Sequence, residues 1–169
     1  MTHRTSLSRT PVLKSGLAAI GLALGLTLGL ALTAPSPARA DRCDDLAKDL
    51  TAQIPGLKIG KTIAGVIYLE HPAVTQASLG CPSRNRSNDV FASTDKKKPS
   101  PDFYDFVATA AALVFTIPKN DTLKGAQRCV SRTNIIRGYN LDSRYRRLDI
   151  HCTVAKSGVR ITISREKGV

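Results

Sequence analysis

Few residues in this chain are equipped for chemistry, and their spacing narrows what they could do. Histidine is the first candidate, because an unperturbed imidazole changes charge close to neutral pH. Beyond residue 40 there are two, His71 and His151. His151 lies in an alternating stretch with Arg147 and Asp149 on its own side. A histidine among arginines could cleave a phosphodiester by general acid–base catalysis, the arginines stabilising the charged transition state. The enzymatic reading is therefore an exported ribonuclease-like phosphodiesterase with His151 as its catalytic candidate. The plainer alternative makes both histidines structural: His71 precedes Pro72 at a strand end, and His151 hydrogen-bonds to Thr162 or Ser164. No Gly-x-Ser-x-Gly elbow or phosphate-binding glycine loop accompanies them. Glu70-His71 and Asp149/His151 offer metal ligands, but no spacing joins them into one site. Neither a metal nor a cofactor is expected, and a non-enzymatic role is favoured.

Charge supplies the second set of candidates. From Asp41 to Pro118 nine basic residues balance nine acidic ones, whereas Lys119 to Val169 holds twelve basic and four acidic. The excess is thus confined to the C-terminal half, residues 119–169. Lys124, Arg128 and Arg132 fall four apart, which aligns them as a ridge along a helix. Arg144, Arg146 and Arg147, with Arg137, extend that surface if the helix and the following hairpin adjoin. Such a surface is expected to contact an anionic partner, either an envelope component (a lipid head group or acidic polysaccharide) or an acidic protein. The competing account is that the charge merely keeps a small domain in solution. Nucleic acid fits poorly, because only Tyr139 and Tyr145 lie among these arginines and the chain has no Trp to build a stacking platform.

The cysteines report the compartment. All four, Cys43, Cys81, Cys129 and Cys152, lie beyond residue 40 at wide spacings with no Cys-x-x-Cys. That pattern reads as two disulfides rather than a redox motif or a zinc knuckle. The first forty residues agree. Arg4, Arg9 and Lys14 precede an apolar run from Leu17 to Leu32, and Pro35-Ser36-Pro37 leads to Ala38-Arg39-Ala40. This is the order of a secretory signal peptide, 1–40, cleaved after Ala40. An uncleaved anchor is the alternative, as the run from Gly16 to Ala34 nearly spans a bilayer. No arginine pair marks the twin-arginine route, so general secretion to the periplasm or the medium is expected.

These residues need elements to position them, and residues 41–169 read as one disulfide-stabilised domain. Asp41 to Ile54 forms an amphipathic helix with Cys43, Leu46, Ala47, Leu50 and Ile54 on one face, stopped by Pro55-Gly56. Lys58 to Glu70 is apolar on both faces and reads as one interior strand. Shorter strands follow at Thr75–Cys81 and Val90–Thr94, and Lys96-Lys97-Lys98-Pro99 reads as a solvated loop. Ser100-Pro101-Asp102 starts a helix that runs to about Ile117, uncharged from Phe106 onward. That stretch, 106–117, is either the central core helix or the docking surface of a structural subunit. The basic helix spans Thr122 to about Asn134.

A hairpin, Arg144–Val154 with Val159–Arg165, closes the chain. Leu148, Ile150, Cys152 and Val154 alternate with Arg147, Asp149, His151 and Thr153. A four-residue connection is preferred, because it sets Arg147 opposite Glu166. The favoured disulfides are Cys43–Cys81 and Cys129–Cys152, each joining a helix to a strand. The expected fold is α+β: an antiparallel sheet of about five strands with helices on one face, in the order α-βββ-αα-ββ.

Overall fold

The computed structural model describes residues 40–83, 87–133 and 138–165. The expected leader (but for Ala40), Arg137 and Glu166 lie outside them. The elements are α1 (Ala40–Gln53), β1 (Lys58–Ile63), β2 (Val66–Glu70), β3 (Gln76–Gly80), β4 (Asp89–Thr94), α2 (Pro101–Phe115), α3 (Lys119–Arg132), β5 (Asn140–Tyr145), β6 (Leu148–Ala155) and β7 (Gly158–Arg165). All strands join one antiparallel sheet in the order β1-β2-β3-β4-β7-β6-β5. The class is α+β, as the sequence implies, but the described residues form seven strands rather than about five.

Both additional strands arise at two-residue turns whose composition only partly signals a turn. Lys58–Glu70 is a hairpin, folded at Ala64-Gly65 with φ of 50° and 77°. The segment Arg144–Val154 turns at Arg146-Arg147, with φ of 50° and 67°, which creates β5 and β6. Two left-handed residues in succession match the twist of a tight hairpin. The favoured residues there are Asn, Asp and Gly. Gly65 is one of them, but Ala64, Arg146 and Arg147 are not, so the mark is weak in the first turn and absent in the second. The expectation of an interior strand also fails: β1 is an edge, with Ile59 and Ile63 exposed. Its register shifts between Ile59 and Thr62, a common irregularity at edges.

The register between β6 and β7 agrees with the four-residue connection, pairing Val154 with Val159 and Leu148 with Arg165. Pairing continues one step to Ala155 and Gly158, so only Lys156 and Ser157 form the turn. Arg147 sits in the β5–β6 turn and not in a strand. Gly158 has φ of +124°, and a Cβ there would lie 1.9 Å from the Thr94 carbonyl oxygen. The β6–β7 turn therefore rests directly on the backbone that leaves β4.

One core binds these elements. Ile67, Leu69, Ala77, Leu79, Val90, Ala92, Val159, Ile161, Ile163, Leu148 and Ile150 form the buried row of the sheet. They meet Leu50, Phe103, Phe106, Val107 and Phe115 from the helices. Each large aliphatic side chain buried this way contributes about 1.5–3 kcal/mol against exposure to water. The helices do not simply lie side by side on the strands. The packing of α2 on α3 is more extensive than that of α2 on any strand, and α1 reaches the sheet mainly at β1. Helix 106–117 is thereby occupied within the domain, with Phe106, Val107, Ala110, Ala111 and Phe115 buried.

The helix limits follow local chemistry. Ser100 accepts the Phe103 N–H at 3.2 Å, and Pro101 opens α2 where an N–H would have no partner. Thr116 ends α2 with φ of 54°, and Pro118 caps α3, which begins at Lys119 and not at Thr122. The buried Thr122 hydroxyl donates to the Ala108 carbonyl at 2.8 Å, tying α3 to α2.

Two disulfides complete the frame. Cys43 on α1 bonds Cys81 just past β3, and Cys129 on α3 bonds Cys152 on β6. Both favoured pairs are present, and all described cysteines are bonded. Paired cysteines fit an oxidising compartment outside the cytosol. Among the described residues no helix is long and apolar enough to cross a membrane.

Candidate functional site

The six candidate cations fall in three places. Lys124, Arg128 and Arg132 follow one side of α3, the first two exposed and the third half-buried. The opposite side of α3, with Thr122, Gly125, Ala126 and Cys129, is buried. Helix α3 lies over β5 and β6, so the ridge borders that margin of the sheet. Arg146 and Arg147 are exposed in the β5–β6 turn. Arg144 belongs to neither group. It stands opposite Asp149, in the row of β5 and β6 that points away from the core, and its Nε donates to Asp149 Oδ1 at 2.8 Å.

His151 occupies the same outward row. Register places Asp142, His151 and Thr162 side by side across β5, β6 and β7, with Arg144, Asp149 and Ser164 in the next row. His151 Nδ1 lies 2.6 Å from Asp142 Oδ1, and the Thr153 hydroxyl lies 3.4 Å from Nε2. Its expected partners Thr162 and Ser164 line the same shallow depression of about 330 Å³ but make no hydrogen bond to it. Arg144 is the one candidate arginine that shares this depression. Arg144 and His151 each face a carboxylate, so the depression offers an anion little uncompensated charge. Asp142 was legible only through β5, where Asn140, Asp142 and Arg144 alternate with Leu141, Ser143 and Tyr145.

His71 is held as a structural group. Its Nε2 lies 3.1 Å from the Pro55 carbonyl, and its Nδ1 accepts the Ala73 N–H at 3.2 Å. The ring stacks on Phe106 at 4.9 Å between centroids. Donating from Nε2 while accepting at Nδ1 describes the neutral imidazole, latched between two loops and α2. Burial pushes the Tyr104 phenol on α2 above its ordinary value. Among the described residues no three His, Cys, Asp or Glu side chains gather closely enough to hold a metal.

Some of the described cations are paired within the domain. Lys48 pairs with Asp45, Lys119 with Asp105, and Arg144 with Asp149. Among the described residues no carboxylate pairs with Lys124, Arg128 or Arg132. No family model, curated protein or solved structure matches the chain.

Proposed function

We propose that this chain is an exported, non-enzymatic binding domain that contacts an anionic partner through its basic C-terminal half. The observation that carries this reading is the α3 ridge, three aligned cations without an internal counter-charge. Such a row attracts an anionic surface over roughly one Debye length, about 8 Å at physiological salt. The partner is an anionic envelope component or an acidic protein, and the leader and disulfides support a periplasmic or secreted setting. Reversing the ridge (Lys124→Glu, Arg128→Glu and Arg132→Glu together) tests it against vesicles containing anionic phospholipid and against an acidic polysaccharide. Wild-type binding should weaken with added salt, and the variant should lose it while keeping its far-UV circular dichroism. Unchanged binding by the variant would remove the ridge as the contact.

A second reading rests on the 2.6 Å contact between His151 and Asp142 beside Arg144. It makes the outward row of β5, β6 and β7 a phosphodiesterase site with His151 as the acid–base group. Purified oxidised protein would then cleave RNA between pH 5 and 8, about the range where histidine titrates, and His151→Ala would abolish it. Absence of turnover ends this reading.

A further inference from the structure

We infer that a pocket where the β6–β7 turn meets the β4–α2 loop binds a small amphiphilic anion, a molecule with an apolar body and one carboxylate, sulfonate or phosphate. The cavity is about 440 Å³ and is lined by Lys97, Tyr139, Val154, Ala155 and Lys156. That volume lies in the range of small-molecule sites, roughly 300–1,000 Å³. Val154, Ala155 and the Tyr139 ring supply apolar walls, and Tyr139 is 58% exposed although it carries the largest side chain there. An exposed aromatic beside a concave apolar surface is a ready contact for a ring or short acyl chain.

The charge of the pocket is one-sided. Among the described residues, Lys97 and Lys156 are its cations and no carboxylate lines it. The His151 depression contrasts with it, since there Arg144 faces Asp149 and His151 faces Asp142. The nearest acid along the chain is Asp95, whose backbone N–H is anchored to the Thr75 hydroxyl at 3.2 Å. Lys96 and Lys98 flank Lys97 and raise the positive potential of the loop.

The two lysines come from loops distant in sequence, and backbone contacts hold those loops together. The Cα of Gly158 packs on the Thr94 carbonyl and the Asp95 backbone, leaving no room for a side chain. The pairing of Thr94 with Val159 and of Ala155 with Gly158 sets the two turns side by side. The Val154 N–H, which donates to the Tyr139 carbonyl at 2.8 Å, brings in the aromatic wall. Three separate segments thus supply the apolar walls and the cationic rim. This site is distinct from the α3 ridge, so its test does not depend on that contact.

The probe is 8-anilinonaphthalene-1-sulfonate, an aromatic sulfonate that fluoresces on entering apolar surroundings, titrated into the oxidised full-length domain. The expected result is saturable one-to-one binding that weakens at least tenfold in a Lys97→Glu/Lys156→Glu double variant and persists in the ridge triple variant. The neutral N-phenyl-1-naphthylamine should bind at least tenfold more weakly, and inorganic phosphate should not compete at equal concentration. The milder Lys97→Gln/Lys156→Gln pair serves if the reversed pair does not fold. Equal affinity in wild type and in the charge variants overturns the proposal. Equal affinity for the neutral probe removes the lysines' role, and competition by phosphate reduces the site to a simple anion contact; either result also overturns it.

Discussion

Replacing Gly158 by Ala should be among the most damaging single-methyl additions in this domain, and the structure supplies its own control. Gly158 opens β7 with φ of +124°, and its new Cβ would lie 1.9 Å from the Thr94 oxygen and 2.7 Å from the Asp95 Cα. Both neighbours are backbone, so no side chain can swing aside. The forced backbone conformation costs about 1–3 kcal/mol. Parting the end of the β4–β7 ladder adds about 1 kcal/mol for each weakened hydrogen bond. With two such bonds weakened, the total is about 3–5 kcal/mol. Gly65 also has positive φ, +77°, but a Cβ there meets nothing within 4 Å. Gly65→Ala therefore carries the conformational penalty without the clash, about 1 kcal/mol. Urea unfolding followed by circular dichroism, with disulfides intact, measures both. Equal losses in the two variants would refute the claim that the turn rests on β4. Because that contact also aligns Lys156 with Lys97, Gly158→Ala should weaken binding of the aromatic sulfonate as well.

Removing Cys129–Cys152 by paired alanine substitution should cost about 3 kcal/mol on the chain-entropy model, its cysteines lying 23 residues apart. Cys43–Cys81, with a separation of 38, closes a longer loop and should cost somewhat more. Losses under 1 kcal/mol (urea unfolding) would show that neither bridge constrains the unfolded chain. The raised Tyr104 phenol predicts an alkaline limb. The folded state holds that proton to higher pH than the unfolded chain does. Stability therefore falls as pH rises from about 10, the unfolded value, through the folded one. Tyr104→Phe should flatten this limb between about pH 9 and 11, and identical slopes in both proteins would refute the assignment.

What the sequence disclosed depended on whether a feature was local. Ser100-Pro101-Asp102 announces α2 because a hydroxyl cap and a ring-fixed φ act within one turn. Leu148 through Val154 disclose a half-buried strand by strict alternation, and the register with Val159 follows from it. Both disulfides were accessible because each cysteine sits on or beside a buried stripe. The two hidden hairpins turn at Ala64-Gly65 and Arg146-Arg147, where Gly65 alone suits a left-handed conformation and the surrounding pairing imposes it on Ala64 and both arginines. Missing β5 also hid Asp142, and with it the partner of His151. The ridge was legible because spacing by four is a helix property. The shared pocket of Lys97 and Lys156 was not, since it depends on β4 pairing with β7 across two intervening helices and two strands. For that reason Lys96-Lys97-Lys98 read as an ordinary solvated turn.

The sheet order has a consequence for how the molecule comes together. β7 is the last described strand, yet it occupies the place between β4 and β6. A chain emerging N-terminus first can pair β1 through β4 and join Cys43 to Cys81, but β4 keeps an open border until residues 158–165 arrive. Assembly is thus timed by the arrival of its keystone. The finished sheet closes only as its last described strand slots into the gap between β4 and β6.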